Sequence, residues 1–249
     1  LVLILLKANP YYTWAVRPFI TDDSRVVGRR LAQYEGWLRF DKEGGQSWSM
    51  AAFGPTDYLE LSLGGVFGYE NTFNKQVFTA AAPLVQAKFL LKPYLPNQWP
   101  GIGLVIGSFL PYGKGMLVTP GYGGFAFATL TQCIGEGEKF LFHANLGTNM
   151  VDFADVKSNV FTWGIGTQIK VYNGFHVVGE KFSGDPYVLG TGMAYQVGFR
   201  HFFSDNFQID GTYGKGISGS TVLPLWFSIG VRIVTDRYSK KNKFGRDFG

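Results

Sequence analysis

The chain has a single cysteine, Cys133, among its 249 residues. That excludes an intramolecular disulfide and a cysteine-based metal centre. Charge is scarce too. Only 16% of residues are Asp, Glu, Lys or Arg, against about 25% in soluble domains. No internal stretch approaches the roughly 18 unbroken apolar residues of a membrane helix. Mean hydropathy is near zero, which excludes a bundle of such helices. A helical apolar period of useful length is also missing.

What the chain has is glycine, 34 residues, and aromatic side chains, 17% of the total. Both are arranged in short stretches of alternating apolar and polar residues. In 159–171, Phe161, Trp163, Ile165, Ile169 and Val171 fall on one face. Thr162, Gly164, Gly166, Gln168 and Lys170 fall on the other. Successive side chains of a strand point to opposite faces, so one face is oily and the other small or polar. Middling hydropathy with this alternation fits a β-barrel in a membrane, because only alternate residues meet lipid.

The alternation predicts strands at 30–41, 46–54, 57–70, 82–93, 100–109, 123–134, 138–148, 159–172, 174–182, 190–203, 206–214 and 224–235. Most are long enough for the roughly 9–11 residues that a tilted strand needs to cross a bilayer. Tight turns rich in Gly, Asn, Asp and Pro follow the second, sixth, eighth and tenth. Longer connections, 71–81, 110–122, 149–158 and 215–223, follow odd-numbered strands. Short periplasmic turns alternating with longer outer loops are the habit of outer-membrane barrels. The expected fold is therefore all-β: a membrane-spanning, antiparallel up-and-down barrel of about twelve strands over 30–235.

In such a barrel Leu59, Leu61, Leu63, Phe67 and Tyr69 would face lipid. So would Met193, Tyr195, Val197 and Phe199, and Leu225, Phe227, Ile229, Val231 and Ile233. Parity sends the charges inward, because a charge on the lipid face near the midplane costs about 2–4 kcal/mol. The expected lumen lining is Glu35, Arg39, Glu60, Lys88, Lys92, His143, Gln168, Lys170, His176, Glu180, Gln196, Arg200, Asp210 and Arg232. Bases slightly outnumber acids in this set. That favours anionic or polar solutes, unless internal ion pairs merely neutralise the lumen. Twelve strands enclose less space than a sixteen-stranded porin and more than an eight-stranded barrel. A narrow passage or a plugged lumen follows.

The ends read differently. Residues 1–15 begin with the apolar run Leu1–Leu6 and close on Thr13-Trp14-Ala15, like the core and cleavage region of a partial signal peptide. Residues 16–29 form either a periplasmic arm or a segment inserted into the lumen. In the second case Arg17, Asp22, Asp23 and Arg25 would pair with charges there. The tail 236–249 is basic, part of a net charge of +5, and reads as a solvated terminus rather than a nucleic-acid site.

Enzyme motifs are missing. A barrel lipid hydrolase needs Ser and His together with an orienting Asn or Asp. None of His143, His176 and His201 has such company in the sequence. The run GSFLPYGK at 107–114 lacks the spacing, the hydroxyl residue and the helix of a phosphate loop. Neither catalysis, cofactor nor metal is expected.

Two stretches carry a resemblance. VRPFITDDSRVV at 16–27 and WSMAAFGPTDYLELSLGG at 48–65 resemble the outer-membrane channels of the MetA-pathway-of-phenol-degradation family. The resemblance implies a signal peptide, a mature chain opening on Arg-Pro-Phe-x-Thr-Asp-Asp, and a twelve-stranded barrel. It also implies a channel for hydrophobic or aromatic compounds. Together the readings predict a monomeric outer-membrane channel whose partners are the lipid bilayer and small solutes. The alternative is a plugged barrel with a structural or interaction role. A lipid-acting barrel enzyme is a third, weaker reading.

Overall fold

The computed structural model describes residues 19–235, apart from 73–74, 116, 120, 154–155, 186–187 and 220–221. The leader 1–15, Arg17 and the tail 236–249 lie outside the described residues. The strands are β1 (Ala32–Asp41), β2 (Gly44–Phe53), β3 (Leu59–Thr72), β4 (Lys75–Lys92), β5 (Gly101–Phe109), β6 (Gly113–Lys114), β7 (Tyr122–Ile134), β8 (Phe140–Phe153), β9 (Val156–Tyr172), β10 (Phe175–Asp185), β11 (Val188–Ser204), β12 (Phe207–Ser218) and β13 (Trp226–Val234). β6 is a two-residue piece of a loop that pairs with Ala80 and Ala81 of β4. The other twelve form one antiparallel sheet in sequence order, closed where β1 meets β13. At that seam Gln33 faces Val234, Glu35 faces Arg232 and Arg39 faces Ser228. Closure is obligatory in lipid, where an open edge would leave N–H and C=O groups unpaired.

The alternating pattern becomes the two faces of the wall. Phe161, Ile165, Ile169 and Val171 of β9 are exposed on the outside, while Thr162, Gly164, Gly166 and Gln168 are buried inside. On β13 Phe227, Ile229 and Ile233 point out, and Trp226, Ser228, Arg232 and Val234 are buried. Trp99, Tyr172 and Phe203, all strongly exposed, stand at the end where the tight turns lie.

The connections at that turn end are 54–58, 93–100, 135–139, 173–174 and 205–206, the third holding a single 3-10 turn at Glu136–Glu138. At the opposite, loop end the structure departs from expectation. Of the expected loops 71–81 and 149–158, the described residues 71–72, 75–81, 149–153 and 156–158 are strand. β3 and β4 pair up to Thr72↔Lys75, and β8 and β9 up to Phe153↔Val156. At about 3.3 Å per residue, the 17 residues of β9 are far longer than a tilted crossing requires. The physical reason is that the ladder outlasts the bilayer. Above the lipid edge the outward side chain no longer has to be oily, so sequence alternation fades while backbone pairing continues.

Two further corrections concern the faces. Not every strand charge points inward: Lys181 of β10 and Lys215 of β12 are exposed on the outer surface. Nor is the interior polar throughout. Leu84, Val105, Phe109, Phe125 and Phe127 form one buried apolar cluster. Phe182, Ala194, Leu223 and Trp226 form another. Leu84 and Val105 lie mid-strand and the others toward the loop end, where buried wall side chains pack on one another.

The outer face generates a direct test. Ile229→Arg places a charge on an exposed mid-strand position of β13 and should lower stability by ~2–4 kcal/mol. Urea titration of the barrel folded into liposomes checks this. An unchanged midpoint would contradict a lipid-facing Ile229.

Candidate functional site: the filled lumen

Chain segment 19–28 threads through the turn-end half of the barrel. Phe19 and Thr21 to Val27 are all buried, and their contacts come from strands around the wall. Gly28, at φ 88°, and Arg30, at φ 61°, turn the chain from this segment into β1. Gly54 lies against that turn, and a Cβ there would sit 1.9 Å from the Gly28 carbonyl oxygen. Only glycine lets the two backbones come this close.

The wall supplies a partner at nearly every step. Glu180 of β10 accepts from the N–H groups of Ile20 and Thr21, both at 2.7 Å. Glu180 also accepts from Gln196 of β11. Thr131 of β7 accepts from Ser24 N–H at 2.9 Å, and Glu60 of β3 from Val27 N–H at 2.7 Å. Asn145 of β8 holds the Asp22 backbone from both sides, accepting at 2.6 Å and donating at 2.8 Å. A segment without secondary structure cannot satisfy its own backbone groups, so inward-facing side chains do it.

Charge fixes the same segment. Lys88 of β4, only 2% exposed, lies 2.6 Å from Asp22 and 3.5 Å from Asp23. Arg25 donates through Nε to Asp23 at 2.6 Å and lies 3.3 Å from Glu138. Tyr94, in the β4–β5 turn, donates to Glu138 and accepts from Arg25 at 3.1 Å. Burial pushes the Tyr94 phenol well above its ordinary value. Phe19 packs on His143, with ring centroids 5.5 Å apart, and beneath the Arg200 guanidinium at 5.6 Å. Wall glycines leave the room: a Cβ at Gly101 would sit 2.6 Å from Ser24 Oγ, and one at Gly164 2.4 Å from Thr21 Oγ1.

Around the segment the polar layer is packed. Arg200 is 1% exposed, and Gln168, Gln208, Asp210 and Arg232 are 0% exposed. Arg200 donates to Gln168 at 2.5 Å, Gln208 to Asp210 at 3.1 Å, and Arg232 to Gln33 at 2.8 Å. Such charges are tolerated because partners meet them. Glu35, Glu60, His143, His176 and Gln196 are buried in the same layer. Three other residues differ. Lys92 and Lys170 are exposed at the turn-end rim. Arg39 sits toward the loop end, half-buried, with its guanidinium 4.6 Å over the Trp226 ring.

Two features escape a reading of faces. One is the inward aromatic layer of Phe125, Phe127, Phe182 and Trp226, whose parity matches that of neighbouring polar positions. The other is Trp37 stacked on Trp48 across β1 and β2, with ring centroids 5.6 Å apart and planes within 5°. The parity of these positions was available, but not the fact that large aromatic side chains line that part of the lumen. His143 is bonded to Thr131, His176 to the Gly174 carbonyl, and His201 packs between Phe175 and Phe203.

The sequence matches no protein-family model and no curated protein. The fold matches solved barrels. An outer membrane channel from Pseudomonas putida F1 aligns with TM-score 0.62 at 12% identity, covering 85% of this chain and 97% of that one. The NanC porin aligns with TM-score 0.54 at 10% identity, over 82% and 98%. The KdgM porin, solved in complex with disordered oligogalacturonate, aligns with TM-score 0.54 at 10% identity, over 82% and 98%. This chain is a closed, twelve-stranded antiparallel β-barrel, similar in fold to these proteins.

The seating of segment 19–28 makes a prediction. Lys88→Ala removes the cation between Asp22 and Asp23, and an uncompensated buried carboxylate is costly. Moving the segment into water relieves this more cheaply than unfolding the barrel. Trypsin should cut after Arg25 in the variant and spare that bond in the wild type, with the barrel intact in both. Equal protection would show that the ion pair does not hold the segment.

Proposed function

We propose that this barrel is an outer-membrane channel for small solutes whose passage requires segment 19–28 to leave the lumen. The observation that carries this reading is the unequal construction of the interior. The wall is a continuous covalent and hydrogen-bonded cylinder. The segment inside it belongs to no strand, and among the described residues its hydrogen bonds to the wall come from side chains. Removing it would expose a ring of polar groups suited to water and small polar solutes.

The charges suggest what would pass. Within the packed layer Lys88, Arg200 and Arg232 face Glu35, Glu60, Glu180 and Asp210, close to balance. The extra bases are at the mouths, Lys92 and Lys170 at the turn-end rim and Arg39 toward the loop end. A solute with negative charge would be favoured on approach. Aromatic and hydrophobic solutes, which the family resemblance implies, would meet the apolar layer of Phe109, Phe125, Phe127, Phe182 and Trp226. The reading is of a monomer in the bilayer, acting by passive passage and without catalysis.

The packed lumen favours a second reading, a permanently plugged barrel with a structural or interaction role. A reversible lock separates the two. Ser24→Cys with Gly101→Cys, in a Cys133→Ser background, ties the segment to the wall. The reduced protein in a planar bilayer should show discrete conductance steps, and the oxidised protein should lose them. Silence in both forms supports the plug. Equal conductance in both means that passage does not need the segment to move.

Ion selectivity is tested separately. Under asymmetric KCl the reversal potential of the open channel should indicate anion preference, weakened by Lys92→Gln with Lys170→Gln. Cation preference would refute the mouth-charge argument.

A further inference from the structure

The outer wall carries an exception that transport does not explain. Across the described strands, outward side chains are aliphatic, aromatic or small, with polar ones toward the ends. Among the outward-facing charged side chains of the described strand residues, Lys92 pairs with Ile102 beside the β4–β5 turn and Lys114 lies on the short loop piece β6, whereas Lys181 and Lys215 stand within the long strands β10 and β12. Both are exposed, and no acidic side chain among the described residues pairs with either.

Their placement is not scattered. Lys181 of β10 pairs directly with Tyr195 of β11, and Tyr195 pairs directly with Lys215 of β12. The three therefore form one row across neighbouring strands, all on the outer face. With strands about 4.8 Å apart, the two lysine backbones are about 10 Å apart. Each side chain is long enough to bring its ammonium group over the Tyr195 ring between them. The row is nearer the loop end than the turn end. Below it on β10 lie the outward Val177 and Phe175, and below it on β12 the outward Tyr213 and Ile209. At roughly 3.3 Å per residue and a tilt of about 40°, it lies about 15–20 Å above the turn-end aromatics. Lysines at that height reach upward toward the headgroups while their stems lie on apolar wall.

We propose that Lys181, Tyr195 and Lys215 form a binding site for a phosphorylated lipid headgroup of the outer leaflet. Two converging ammonium groups and a phenol O–H offer donors to the oxygens of one phosphate, and bonds of this kind are strengthened by charge. Lipid-facing lysines elsewhere on a barrel wall are selected against, because they meet hydrocarbon. Here an anionic headgroup at the interface supplies the counter-charge that the protein lacks. The site stands apart from the lumen, so it holds whether the barrel conducts or is plugged.

The test uses the full-length barrel, refolded in detergent free of bacterial lipid. The probes are diphosphorylated lipid A, its dephosphorylated form, and inorganic phosphate. Binding is read by native mass spectrometry, and by the temperature at which the folded band converts on a gel. Diphosphorylated lipid A should bind and raise that temperature, and the other two should not. Lys181→Gln with Lys215→Gln should weaken binding at least tenfold, while Lys181→Arg with Lys215→Arg retains it. Folding of every variant is confirmed by its heat-modifiable mobility, which removal of two outward charges should not impair. Binding within twofold of wild type in the Gln pair would overturn the site. Equal binding of the dephosphorylated lipid would overturn the phosphate assignment, and binding of inorganic phosphate alone the lipid assignment. A dimer that dissociates in the Gln pair would assign the row to a second copy instead.

Discussion

Lipid offers a backbone no hydrogen-bond partner, and the rest of this structure follows from that. Each strand must pair on both sides, so the first, β1, has to find the last, β13, and the sheet closes. Once closed, the wall has an inside and an outside that cannot exchange. The strict two-residue alternation of a strand then sends every second side chain to lipid. Ile229 and Arg232 lie three residues apart on β13 and have opposite fates for this reason.

Closure creates a second problem, an interior that must be filled. Twelve strands enclose more space than their own side chains occupy in the turn-end half. There the chain folds its own residues 19–28 inside. That segment has no ladder to pair with, so acids and amides of the wall take its N–H groups, and Lys88 takes its carboxylates. In the loop-end half the wall lines the space itself, with Phe125, Phe127, Phe182 and Trp226 in two buried apolar clusters. The same barrel therefore has a polar, chain-filled layer below and an apolar, aromatic-lined layer above. A channel reading depends on the first layer being held by replaceable contacts and on the second leaving a path between its aromatic side chains.

Much of the architecture was legible because lipid imposes a simple rule on sequence. The twelve crossings, the tight turns at one end and the oily outer face all follow from alternation. The rule failed where lipid stops. Residues 71–81 and 149–158 read as loops because the oily alternation lapses there, with Phe78 and Met150 as exposed exceptions, yet their described residues extend β3, β4, β8 and β9. Lys181 broke the inward assignment of charge because a lysine near the bilayer edge can reach polar surroundings. The inward aromatics were hidden by the assumption that a lumen is wet.

The residues by themselves determined that this chain closes into a membrane barrel, since the two-residue period and the turn chemistry are local properties of the strands. They determined the inward parity of Glu60, Lys88, Glu180 and Arg200 for the same reason. Only the tertiary structure decided what those groups face. Glu180 and the backbone of Ile20 are brought together across 160 residues of chain, and no local pattern encodes such a meeting. Whether a lumen holds water, solute or its own chain is a matter of volume and pairing across the whole cylinder.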